Sequence, residues 1–73
     1  MSVIKVIEII GTSEKSWEGA AQAAVKKASE TIHNIRGVEV IAQTATVDGG
    51  TIREYRTTVH VAFALDDGAS GPD

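Results

Sequence analysis

The sequence of 73 residues contains no cysteine. Disulfide staples, thiolate nucleophiles and thiolate metal ligands are excluded together, and a cytoplasmic setting fits that lack. Aromatic residues are nearly absent, Trp17, Tyr55 and Phe63 being the three. Positive charge is scarce as well. Seven Lys and Arg against ten Asp and Glu leave a net charge of -3, and the basic residues form no clustered face for a phosphate backbone, so nucleic acid is not an expected partner. Nor is a membrane: the apolar start "MSVIKVIEII" has no basic lead and is broken by Lys5 and Glu8, so it reads as neither signal peptide nor membrane span. A soluble chain this short, with few aromatics and no covalent staple, is poorly placed to bury enough apolar surface alone. Self-association is the expected remedy.

What is present is patterned. Residues 3 to 10, "VIKVIEII", are β-branched on both alternating faces, with Val3, Ile7 and Ile9 on one and Ile4, Val6 and Ile10 on the other, which predicts a strand buried on both sides. "GTSEKS" supplies a turn and a helix start, with Ser13 or Ser16 as N-cap and Glu18 near the positive end of the dipole. From Trp17, an apolar stripe of Ala20, Ala21, Ala24, Val25, Ala28, Ile32 and Ile35 follows helical spacing. Its alanines allow close approach to a sheet. After Gly37, Val38, Val40 and Ala42 alternate, then the apolar phase shifts to Ala45 and Val47, which predicts a bulge near Gln43 and Thr44. "VDGGT" reads as a hairpin turn. In the closing strand, Thr57, Val59, Val61 and Phe63 share the face expected under the helix, while Arg56, Thr58 and His60 share the other.

The order is therefore strand, helix, strand, strand. A right-handed crossover leaves a gap between the first two strands that the hairpin partner fills, giving an α+β fold with a three-stranded antiparallel sheet of order 1-3-2 packed on one helix. Residues 1–65 form one domain in this reading, and the last residues, 66–73, "DDGASGPD", a mobile tail. The sheet face opposite the helix, with apolar residues beside Arg56 and His60, is a candidate subunit contact.

Motifs for chemistry are sparse. His33 and His60 have no ligand spacing and read as surface or interface residues. "GTSEKS" precedes a helix but lacks the glycines and lysine of a phosphate-binding loop, and Ser13 and Ser16 read as caps. Asp48 reads as turn chemistry, and Trp17 as core or interface. No paired carboxylates or activated nucleophile can be assembled from the spacing, so an enzyme is not expected.

The segments "VIKVIEIIGTS", "SWEGAAQAAVKKASETIHNIR", "VEV" and "EYRTTVHVAFAL" resemble the dodecin family in order and spacing up to about Leu65. The resemblance implies a hollow sphere of twelve identical subunits that binds or stores a small ligand, in many members a flavin, at subunit interfaces. In flavin-binding members a tryptophan before the second strand stacks on the isoalloxazine ring, and a glutamine after an aromatic residue in the third strand bonds its polar edge. Those positions match Gly37 and Arg56 here. Gly37 offers no ring face, and Arg56 donates but cannot accept. Weak binding of riboflavin or FMN is implied. The sequence looks closer to the members that lack this tryptophan and are described as calcium-binding, which leaves three readings: a flavin store, a flavin-independent shell binding divalent cations such as calcium, and a purely structural assembly. Gly37 also reads, on its own, as a helix stop in the left-handed conformation.

Overall fold

The structure is a computed structural model and describes residues 2–65. The expected tail at 66–73 lies outside the described residues. β1 (Ile4–Ser13), α1 (Trp17–Ser29), β2 (Ile35–Asp48) and β3 (Thr51–Ala64) follow one another along the chain. β3 lies between β1 and β2 and is antiparallel to both, so the sheet order is 1-3-2.

Helix start and hairpin turn follow from local chemistry. Ser16 is the N-cap, its hydroxyl accepting from the Gly19 N–H at 2.9 Å. Ser13 prepares the turn before it by accepting from the backbone N–H groups of Lys15 and Ser16. Between Asp48 and Thr51, Gly49 and Gly50 both take positive φ, 59° and 79°. That pair of values closes a two-residue hairpin whose twist matches its strands.

The helix is shorter than its stripe. It ends at Ser29, not near Ile35, and the backbone N–H of Ile32 donates to the Ala28 carbonyl in a final turn. Asn34, with φ 64°, takes the left-handed position that redirects the chain. Gly37 lies within β2 and outside the left-handed region, so its reading as a helix stop is corrected: asparagine, which tolerates this conformation, performs the turn. The spacing misled because Ile35 still packs on the core, from the start of β2, and Ile32 lines an apolar cleft with Ile7, Ile9 and Ala28.

The core is built from small residues. Ala20, Ala24 and Ala28 are buried on α1; Ala24 packs with Val59 and Val61 of β3, and Ile7, Ile9, Ala21 and Ile35 pack around that cluster. At Gly11 the helix comes so close to β1 that a methyl group would collide with the Ala20 carbonyl oxygen. Fully buried Thr57 donates its hydroxyl to the Trp17 carbonyl at 2.8 Å, tying β3 to the first turn of α1. Phe63, expected under the helix, is only half-buried. The early helix end leaves it beside the following loop, in a cleft with Ile32, His33 and Leu65.

Two further expectations change. The irregularity of β2 nearest the predicted bulge falls between Val40 and Ala42, leaving Ile41 as the extra residue, two positions before it. Others fall at Ile35/Gly37 and Thr46/Val47. β1 is buried on one side only: Ile7 and Ile9 meet the core, whereas Ile4, Val6 and Ile10 are 48%, 53% and 54% exposed.

Candidate functional site

The site is best described by the rows that the strand register lays across the helix-distal face. From one end these rows are Val6, Ala62 and Gly37, then Glu8, His60 and Glu39, then Ile10, Thr58 and Ala42, and finally Thr12, Arg56 and Thr44. In each row the β3 residue stands in the middle. Row follows row at two residues of strand, about 7 Å.

Gly37 opens the first row. A Cβ built there meets nothing within 4 Å, so the position faces open space. Beside it is a shallow depression of about 230 Å³ lined by Val6, Gly37, Val38, Glu39, His60 and Ala62. In the second row His60 Nε2 and Glu8 Oε1 are 2.8 Å apart, while Glu39 is the register partner of His60 on its other side. Arg56 is exposed between Thr12 and Thr44. Among the described residues, the side chains of Arg56 and Glu39 have no hydrogen-bond or ion-pair partner within the chain.

Gly37 and Arg56 thus share a face but not a site. Gly37 pairs with Ala62, six residues along β3 from Arg56, a separation of about 20 Å. A single chain cannot bring both to one small ligand. The aromatic residues offer no substitute platform at Gly37: Trp17 donates its indole N–H to the Thr44 carbonyl at 2.8 Å and meets Tyr55 edge-on, with ring centroids 4.8 Å apart, at the far end of the sheet. His33 lies in the loop after α1, in a different cleft from His60. Asp48 closes the hairpin, 4.0 Å from Arg53. Among the described residues no group of three His, Cys, Asp or Glu could hold a metal ion, and no helix is long and apolar enough to cross a membrane. The row of Glu8, His60 and Glu39 was not anticipated. Nothing in their sequence spacing joins them; only the register does.

A strand-helix-strand-strand unit with an apolar, partly charged sheet face left open defines a class of small assembling subunit. The chain belongs to the dodecin family, whose model, described as Dodecin, matches residues 3–66. It is 46% identical over 65 residues to the calcium dodecin of Mycobacterium tuberculosis, covering 89% of this chain and 92% of that protein. To the dodecin of Thermus thermophilus it is 34% identical over 65 residues, covering 89% and 94%. A crystal structure of a T. thermophilus dodecin variant superposes with a TM-score of 0.87 at 33% identity, over 92% of this chain and 100% of the other. The crystal structure of the M. tuberculosis calcium dodecin, described as a calcium-chelating antigen with a calcium-binding site, gives 0.78 at 45% identity, over 99% and 100%.

Proposed function

We propose that this protein is a dodecin-type binding protein, assembled from twelve copies as a hollow shell, that holds a small ligand or ion at subunit contacts and retains flavin only weakly. The observation that carries this reading is the empty space over Gly37. A stacked aromatic buries about 150 to 250 Å², on the order of 4 to 6 kcal/mol by area, of which ordering the ligand removes part. Without a ring at this position, affinity for a planar flavin falls by several powers of ten. Arg56 replaces a group that both donates and accepts with one that only donates.

The identity to a calcium dodecin favours a second reading, a flavin-independent shell that binds divalent cations. Calcium takes six to eight oxygen ligands, so its cage would draw on more than one copy. Both readings are of a binding protein and not an enzyme, with a cytoplasmic setting that suits a chain without cysteine. Residues 1–65 are the assembling domain in either case.

An absorption spectrum and elemental analysis of the intact native particle test the proposal. A colourless particle is expected, and calcium in fixed proportion to the chain would select the second reading. Stoichiometric flavin retained through purification would overturn the claim of weak flavin binding.

A further inference from the structure

We propose that the groove between α1 and the outer edge of β1 is a separate ligand site, one that takes a medium-chain alkyl carboxylate. It lies on the helix side of the sheet, away from Gly37 and Arg56, and goes beyond the function proposed above. β1 bonds to β3 along one edge, and among the described residues no strand lies along the other. The groove opens there. Ile7 and Ile9 pack on the core but stay half-buried, and both line the groove, whose α1 wall is built from Ala24 and Ala28. Alanines are too short to cover two isoleucines. The space left over is about 380 Å³, within the range of roughly 300 to 1,000 Å³ that natural ligand clefts occupy.

The lining states what would fill it. Of the described residues that line the groove, Lys27 alone is charged, and no carboxylate stands among them. In a chain of net charge -3, a cleft whose one charge is positive selects an anion with an apolar body. Lys27 suits that role by its placement. Its side chain is 84% exposed, so the stem borders the apolar floor while the ammonium stands in water at the rim. Glu30 is 3.3 Å from that ammonium, but an exposed ion pair of this kind holds weakly and can yield to a bound carboxylate. Thr12 and Thr31 add hydroxyls to the same lining. Length follows from volume: at roughly 30 Å³ for a group the size of a water molecule, 380 Å³ takes a chain of about a dozen carbons. Ile32 and Ala28 extend the apolar wall for such a chain towards the end of α1.

Calorimetric titration of the intact native particle with sodium decanoate tests the proposal, with decanol as the uncharged control. Saturable binding of one decanoate per chain is expected, and each methylene added between octanoate and dodecanoate should strengthen it about threefold to fourfold. Lys27→Gln should weaken decanoate at least fivefold and leave decanol within twofold, because only the carboxylate meets the ammonium. Ala23 is exposed at the groove wall, four residues before Lys27 on the same row of α1, so Ala23→Phe should obstruct both ligands and keep the wild-type melt. An absence of saturable decanoate binding, or an Ala23→Phe particle that binds as the wild type does, would overturn the site. Equal losses of decanoate and decanol in Lys27→Gln would overturn the carboxylate assignment. Decanoate taken up only by chains released from the particle would show that another copy fills the groove, and would overturn the site as well.

Discussion

On the helix side of the sheet, contact is made by removing atoms. Gly11, Ala20, Ala24 and Ala28 let α1 sink onto β1 and β3 until backbone meets backbone, and Val59 and Val61 are sealed beneath it. On the other side, Gly37, Ala42 and Ala62 apart, the side chains are longer and stand clear of the chain. Ile4, Val6 and Ile10 project from β1, and Glu39 and Arg56 have no side-chain partner among the described residues. One face is covered within the chain and, where Gly11 meets Ala20, cannot accept more volume. The other is large and unfinished, the condition expected of a surface completed by other copies. The same three strands carry both, so substitutions should separate folding from assembly according to the face on which the register places each residue.

The sharpest test of that separation is at Gly11. Gly11→Val places atoms into the Ala20 carbonyl, which a backbone cannot yield cheaply, so a loss of at least about 3 kcal/mol is expected. Circular dichroism should show an unfolded or non-native chain. A cooperative, wild-type melt would show that the helix does not sit so close. Next in size, Val59→Ala should cost about 2 to 3 kcal/mol per subunit in denaturant unfolding, because a fully buried valine leaves a cavity that neighbouring alanines cannot fill. Phe63→Ala, at a half-buried position, should fall below the roughly 3 kcal/mol typical of a fully buried ring.

On the open face the readout changes from melting to mass. Ile10→Ser should leave the helix signal intact while light scattering shows smaller species, since that side chain has no core to support in its own chain. Unfolding in step with dissociation would blur the distinction between the faces. The smallest effect on stability is expected for Gly37→Trp. Its Cβ points into open space and its backbone is outside the left-handed region, so the cost should stay within about 0.5 kcal/mol. Combined with Arg56→Gln, it should restore quenching of flavin fluorescence. A stable double variant that still ignores flavin would remove Gly37 and Arg56 from the account of weak binding.

Much of the fold was legible because its signals are local. Ser16 as cap, the glycine pair of the hairpin and the alternation through Thr57, Val59 and Val61 each express the preference of a few adjacent residues. What was not legible is non-local. The helix end depends on Asn34 turning the chain while Ile32 and Ile35 continue an apolar spacing that no longer belongs to a helix. The bulge at Ile41 is set by how β2 keeps step with β3 over its length, which composition does not encode. The candidate site was half legible. Gly37 and Arg56 could be singled out from the resemblance, but their distance, and the row joining Glu8, His60 and Glu39, exist only once the register is known.

The central place of β3 has a consequence for how the protein is made. β1 and β2 touch no strand but β3, and β3 is the last of the described elements to leave the ribosome. A nascent chain that has completed β1, α1 and even β2 owns no sheet at all, since neither strand can pair with the other across the gap. The hairpin can then zip locally within microseconds, and capture of β1 follows as the step that closes the longest loop. A prematurely terminated chain would therefore lack the scaffold on which either face is displayed. In the assembly proposed above, entry would be reserved for chains whose translation has run through β3.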